Sequence, residues 1–488
     1  MSKLNFIFFF LLITGLNSLA QPISLHPQNP HYFLFKGKPT VLVTSAEHYG
    51  AVLNADFDYK KYLQILRNEG MNYTRIFMGS YAEVPGSFGI QHNSLAPEVG
   101  CFIAPWKRTG EEGVFRGEKK FDLNEWNPVY FERLKDFISL AGEYGIVVEV
   151  TFFCSTYDDK IWERNPFNPG NNINNLPGNL DRKKSNTLAN GSLTLFQQRL
   201  VEKLVTELNS FDNIFYEIQN EPWADDGIKV MRTLRTLDPQ PKEGDWYKWA
   251  EMASPASLEW QKLMAKTVVE TEAQLPKKHI IAQNYTNFMH SLDEVDPNIS
   301  ILNFHYVWPE AVWFNYGWNR PVSFDESGFA GASDSTYLRQ AWQFMMAGGA
   351  VFNNLDYSFY VGKEDGTGTN KAPGGGSANL RKQLTYLRSF IESFDFVQMQ
   401  PDFNVVAHSP GVQVQSISQP GVQYAMVFTG ISSNSVKLNL PKGKYNFEFV
   451  SPYSGKKLKN GFFKQRKSGI YELNLPEFGE MVALKIVK

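Results

Sequence analysis

The chain has 488 residues, more than one ordinary core holds and enough for a β/α barrel with a smaller domain beside it. Its 48 basic and 50 acidic residues leave a net charge of −2, which argues against nucleic acid or an anionic membrane surface as the main partner. Only two cysteines occur, Cys101 and Cys154, so the chain is not a disulfide scaffold, and whether the two pair stays open.

At the N-terminus, Lys3, the apolar run from Phe6 to Leu16 and the small-residue sequence Ser18-Leu19-Ala20 predict a secretory signal peptide over residues 1–20, cut after Ala20. The run is short for a membrane span, and no later segment is long and apolar enough for one. The mature protein is therefore expected to be exported, soluble and monomeric, in the periplasm, at the cell surface or secreted.

From about residue 40 strands and helices alternate. Thr40–Ser45 reads as a first strand, Asp56–Glu69 as an amphipathic helix and Met71–Met78 as a second strand. A long insertion, Gly79–Trp126, follows. Asn127-Pro128 then opens a helix as cap and first-turn proline, and that helix runs to Tyr144. Ile146–Phe153 is a third strand, apolar almost throughout, as a strand covered on both faces must be. A helix over Leu193–Leu208 precedes a fourth strand, Ile214–Asn220, which Pro222 cannot extend. After a helix at Ser257–Ala273 come a fifth strand at His279–Gln283, a sixth at Ile301–His305 and a seventh at Pro321–Phe324. A helix at Ser335–Ala347, an eighth strand at Gly349–Leu355 and a helix at Ala378–Phe394 complete the series.

Eight strands alternating with helices predict a (β/α)8 TIM barrel over residues 21–398, with long connectors at the rim where such barrels place their chemistry. Beyond it, short strand candidates are Val405–Ala407, Val412–Ile417, Gln423–Phe428, Val436–Leu440, Tyr445–Val450, Gly469–Leu475 and Met481–Val487. Turn residues such as Pro420-Gly421 and Ser454-Gly455 separate most of them, so residues 399–488 read as a small β-sandwich domain packed against the barrel. The tract Lys371–Ser377, rich in glycine, lacks the Lys-Ser/Thr of a phosphate cradle. No zinc-protease, paired-cysteine or EF-hand pattern occurs, so no metal or cofactor is expected, and there is no serine-esterase elbow.

The fourth strand delivers Asn220-Glu221 to the rim, and the seventh delivers Asp325-Glu326. Hydrolysis of a sugar–sugar bond requires a proton donor and a second carboxylate across the ring, about 5 Å apart in retaining enzymes. Barrel closure brings these two strand ends to opposite sides of one rim. Aromatics are 15% of the chain, in keeping with a carbohydrate cleft. Glu217 shares the inward side of the fourth strand with Glu221 but lies deeper, and reads as a paired structural carboxylate. His48, in Ser45-Ala-Glu-His-Tyr-Gly50, ends the first strand at the same rim.

Asn-Glu-Pro ending the fourth strand and Glu ending the seventh resemble the clan of retaining TIM-barrel glycoside hydrolases that includes cellulases, mannanases and β-galactosidases. Arg75 on the second strand and His305-Tyr306 at the end of the sixth match further features of that clan, and the resemblance covers residues 35–395. It implies Glu221 as acid/base, Glu326 as nucleophile and Asn220 as the group contacting the sugar 2-hydroxyl. It further implies that Arg75 keeps the nucleophile ionised and that Tyr306 hydrogen-bonds it. Strand alternation sets Asp325 and Glu326 on opposite sides, and the resemblance assigns the cleft to Glu326. Barrel plus sandwich resembles bacterial exported hydrolases with a collagen-binding-like C-terminal domain. The implied activity is cleavage of β-linked glycosides in poly- or oligosaccharides by double displacement, with Glu221 held protonated by burial and by the Glu326 charge. His48, His305, Trp308 and Trp318 are further candidates for substrate contact, as are Trp223, Trp313 and the Asp356-Tyr357 pair. The alternative is a carbohydrate-binding protein on the same scaffold without catalysis.

Overall fold

The computed structural model describes residues 21–233, 246–430 and 434–488, so the expected signal peptide lies outside the described residues. Eight parallel strands form a nearly closed barrel: Leu42–Ala46, Tyr73–Phe77, Val147–Cys154, Ile214–Asn220, Ile281–Asn287, Ile301–His305, Val322–Ser327 and Val351–Leu355. They run in sequence around the ring, with the first beside the eighth. The seam falls between the first and second strands, and the amide of Asn72 stitches it. Its Oδ1 accepts from the Val43 N–H at 2.9 Å and its Nδ2 donates to the Val41 carbonyl at 2.8 Å. Every residue of these strands is buried, as a parallel sheet jacketed by helices requires.

Two strands extend further toward the rim than their hydrophobic patterns suggest. The fifth runs Ile281–Asn287, not His279–Gln283, and the seventh runs Val322–Ser327, not Pro321–Phe324. In both, polar residues take over toward the end (Asn284, Thr286 and Asn287; Asp325, Glu326 and Ser327), so apolar periodicity fades before the strand does. The Gly79–Trp126 insertion contains a hairpin, Trp106–Glu112 with Lys119–Trp126. A second hairpin, Gly227–Arg232 with Trp249–Ala253, attaches to the fifth strand through Met252 opposite Thr286. A three-stranded antiparallel sheet, Ser24–Thr40, precedes the barrel and is tied to it through Asn29 Nδ2 and the Val397 carbonyl at 2.8 Å.

The C-terminal region is two antiparallel sheets, of six and three strands. One strand of the larger sheet, Lys457–Gln465, escaped the sequence pattern because six of its nine residues are exposed. Alternation on the central strands explains the domain contact. Tyr424, Met426, Phe428, Val482, Leu484 and Ile486 face the smaller sheet, while Ala425, Val427, Met481 and Ala483 belong to the barrel's apolar cluster. The larger sheet is thus covered on both faces, and Lys485 Nζ donates to the Ser393 carbonyl of the barrel at 2.8 Å. Among the described residues no helix is long and apolar enough to cross a membrane.

Candidate active site

The ends of the first, third, fourth, sixth and seventh strands converge on one cavity of about 220 Å³. Its lining includes Asn220, Glu221 and Glu326, together with Tyr306 and His48. A carboxylate oxygen of Glu221 lies within 4.8 Å of one of Glu326, and the imidazole of His305 sits between them. His305 Nδ1 is 2.9 Å from Glu221 Oε1 and 3.6 Å from Glu326 Oε1, and its Nε2 is 3.3 Å from Asp325 Oδ2.

Local backbone geometry aims these side chains. Tyr49, Glu221, Phe288 and Tyr306 all have positive φ, between 46° and 59°, and each stands within three residues of a barrel strand's end. Non-glycine residues adopt this conformation rarely, and here it turns each chain sharply at the rim. Hydrogen bonds hold the turn at Glu221: its N–H donates to Asn284 Oδ1 at 3.1 Å and its carbonyl accepts from Ser155 Oγ at 2.7 Å.

Each carboxylate has its own donors. Glu326 accepts from the Tyr306 hydroxyl at 2.7 Å, the Tyr49 hydroxyl at 2.8 Å and Arg75 Nη1 at 3.3 Å. Glu221 accepts from the Tyr157 hydroxyl at 2.8 Å, and Asn220 Nδ2 donates to the same hydroxyl at 2.9 Å. Arg75 Nη2 donates to Asn220 Oδ1 at 2.8 Å, which fixes the amide's orientation. Tyr49 and Tyr157 carry no sequence signal of their own. Their hydroxyls meet carboxylates 277 and 64 residues away in sequence.

Beneath the cavity Arg75 is enclosed by acids. It pairs with Glu217 through Nε at 3.0 Å and through Nη2, with Asp325 at 3.4 Å and with Glu149 at 3.9 Å. Glu217 also accepts from Thr151 Oγ1 at 2.7 Å and Asn303 Nδ2 at 2.9 Å, so it is a paired structural carboxylate. Asp325 and Glu326 both turn inward, which strand alternation forbids in a regular strand. The ladder to the sixth strand shifts register between Phe304 and His305, setting His305 opposite Glu326. That irregularity frees two consecutive acids to face one side. Glu221, His305 and Glu326, and separately Glu149, Glu217 and Asp325, are spaced closely enough to hold an ion. In the second group the Arg75 guanidinium already pairs with all three acids.

Protonation differs from the expected arrangement. Burial pushes the Glu221 carboxyl up, but hydrogen bonds from His305, Tyr157 and Tyr306 outweigh it and hold Glu221 below the usual carboxylate range. Burial raises Glu326; His305 and Arg75 oppose the rise, the Glu221 charge adds to it, and the net direction is up. His305 is held well above the ordinary imidazole range, since the charges of Glu326 and Asp325 overcome its burial. The 2.9 Å contact between His305 and Glu221 contributes to both shifts, and at neither group does burial set the direction.

Arg75 and His305 are fully buried and do not line the cavity, so both act on the carboxylates from behind. Trp308 packs against Phe288 at 5.9 Å, Trp313 against Phe403 of the sandwich at 5.0 Å, and Trp318 against the core; none lines the cavity. Trp223 does line it, edge-on to His305. Asp356 is engaged by Arg381 Nη1 at 2.5 Å and Ser45 Oγ at 2.9 Å, a structural pairing. Cys101 and Cys154 are both free thiols.

No family model and no curated protein matches the chain. Solved structures do. A protein from Bacteroides vulgatus ATCC 8482, assigned provisionally to the glycoside hydrolases, matches with a TM-score of 0.65 at 13% identity over 96% of this chain and 82% of that one. A family 5 glycoside hydrolase from the same organism matches with a TM-score of 0.58 at 12% identity, covering 96% and 93%. A further glycoside hydrolase gives 0.59 at 11% identity, covering 96% and 97%. At such identities the likeness is one of fold: barrel and appended sandwich together are an architecture this chain shares with glycoside hydrolases.

Proposed function

We propose that the protein is a retaining glycoside hydrolase that cleaves β-linked glycosides by double displacement, with Glu326 as nucleophile and Glu221 as acid/base. The observation that carries this reading is the separation of the two carboxylates, within 4.8 Å across one cavity. Retaining enzymes need about 5–5.5 Å, and inverting ones about 6.5–9.5 Å to admit a water between. The shared fold agrees with it, since all three matched structures are described as glycoside hydrolases.

The proton inventory supplies the rest. Glu221 must carry a proton to serve as acid, and Glu326 must be ionised to attack. His305 Nδ1, 2.9 Å from Glu221 Oε1, is placed to hand its proton to that carboxylate, which leaves a neutral imidazole. Arg75, Tyr49 and Tyr306 then stabilise the Glu326 carboxylate. Glu326 attacks the anomeric carbon while Glu221 protonates the departing oxygen. Glu221, now a base, activates the water that releases the sugar with retained configuration. Asn220, oriented by Arg75, lines the cavity, and in this mechanism it contacts the sugar 2-hydroxyl. Export of the enzyme rests on the residue 1–20 signal alone.

Proton NMR of the first-formed anomer, with a panel of aryl β-glycosides, tests the reading. A β-anomer appearing before mutarotation is the expected result, and initial release of the α-anomer overturns it.

A further inference from the structure

Resting on the hydrolase reading above, we propose that the cavity is the seat of one uncharged terminal sugar, so that the protein removes single residues from non-reducing ends. Glu83, held by His48, reads that sugar's hydroxyls.

Size is the first argument. The cavity's space of about 220 Å³ is enough to seat one sugar ring between its walls. The second is the direction in which the cavity is shut. In a retaining site the sugar being transferred lies against the nucleophile and the leaving group lies against the acid. On the nucleophile's side Tyr49 bonds Glu326, and the adjoining wall of His48, Glu83 and Leu95 is 7%, 2% and 1% exposed. On the acid's side the lining residues Ala224 and Glu251 are only partly buried. A second sugar can therefore follow on the leaving-group side but not through the wall that His48, Glu83 and Leu95 form.

That wall is fixed. The Glu83 N–H donates to the Leu95 carbonyl at 2.9 Å and its carbonyl accepts from Arg164 Nη1 at 2.9 Å. The Ser94 carbonyl accepts from Asn54 Nδ2 at 2.9 Å, and the Ser94 hydroxyl bonds Glu47. Gly50 is pressed onto this segment: a Cβ there would stand 2.1 Å from the Ser94 carbonyl oxygen. Above the carboxylates Phe88 spans the rim, meeting Tyr157 at 5.0 Å and Phe329 at 6.2 Å.

Chemistry names the ligand class. Glu83 Oε1 is 3.2 Å from His48 Nε2, and its other oxygen accepts from Asn93. Both residues border the cavity, and the Glu83 carboxylate, held in place by His48 and Asn93, is the acceptor that sugar hydroxyls would meet. Among the described residues, four carboxylates line the cavity (Glu83, Glu221, Glu251 and Glu326) and no Lys or Arg does. An anionic sugar such as a uronic acid would face repulsion from these acids with no Lys or Arg in the lining to pair with it.

The test combines two measurements. Products from neutral β-linked tri- to pentasaccharides are sized in the first few per cent of reaction. Binding of neutral monosaccharides and uronic acids to wild type, E83A and E83Q is followed by ligand-observed NMR, with melting curves as a folding control. The expected result is one monosaccharide released from the outset, and a neutral monosaccharide whose affinity falls tenfold or more in both variants. Disaccharides or longer products liberated from chain interiors at the start overturn the proposal, as does unchanged monosaccharide affinity or the absence of any bound monosaccharide. Hydrolysis with mixed products would leave the hydrolase reading standing without this one. Sugar binding that depends on Glu83, in a protein that hydrolyses nothing, would do the reverse for the hydrolase reading.

Discussion

The His305 imidazole stands 2.9 Å from the carboxylate of Glu221, and that contact holds the Glu221 carboxyl below the usual range although it is buried. This pairing changes how the site must be loaded. In the proposed mechanism Glu221 does not hold its proton by burial but takes one from His305. Glu326 is readied by Arg75 and two tyrosines.

Removing the two carboxylates should have different signatures. E326Q should lose turnover on every glycoside while folding normally. E221Q should lose about 10²–10⁴-fold with poor leaving groups and far less with dinitrophenyl glycosides, whose departure needs no proton. Steady-state kinetics on a leaving-group series separates the two.

Tyr306 offers a pH test. Its hydroxyl donates to Glu326 and lowers both active-site carboxyls. In Y306F both rise, so the acid limb of kcat/KM, where Glu326 must ionise, moves to higher pH. The alkaline limb moves the same way. Loss of a hydrogen bond to a charged group costs about 1.5–3 kcal/mol, so kcat/KM at the optimum should fall about 10–100-fold. A profile at unchanged pH contradicts the assignment.

Glu217 is predicted to matter for stability before chemistry. Replacing it with Ala removes the nearest acidic partner of the buried Arg75 and the acceptor of Thr151 and Asn303, and breaking a buried pair costs about 3–5 kcal/mol. Denaturant unfolding of E217A should show that loss, whereas substitution of an exposed acid such as Glu125 should show almost none.

Asp225 contributes a pH slope. Burial raises its carboxyl to about 7, against the donors Thr156, Asn186 and Ser155. The folded chain therefore keeps this proton to higher pH than the unfolded chain, whose Asp titrates near 3.8. Its contribution to stability is largest below about pH 4 and declines as pH rises toward 7. D225N should remove that slope, so the melting-temperature difference between wild type and variant should change steadily from pH 4 to 7.

Much of this was readable from the sequence, for identifiable reasons. The fourth and sixth strands coincide with their predicted spans because apolar residues recur to within two residues of each end, past the interruptions at Glu217 and Asn303. The fifth and seventh were cut short because Asn284, Asn287, Asp325 and Glu326 place polar groups on the strands themselves. Alternation failed at Asp325-Glu326 because a register shift is a property of two paired strands. Rim position alone misjudged Trp308 and Trp318, since it does not fix which way a ring turns. Tyr49, Tyr157 and Glu83 were invisible for a related reason: their roles come from contacts that only barrel closure creates.

The central claim is that Glu326 forms a covalent bond to the sugar, and trapping that bond tests it most directly. The protein is incubated with a panel of 2-deoxy-2-fluoro β-glycosyl fluorides, and the product is digested and mapped by mass spectrometry. The account predicts one sugar adduct, on the peptide bearing Glu326 and on that residue. An adduct on Asp325, Glu221 or Glu83 instead, or none from a reagent whose parent glycoside is turned over, would contradict it.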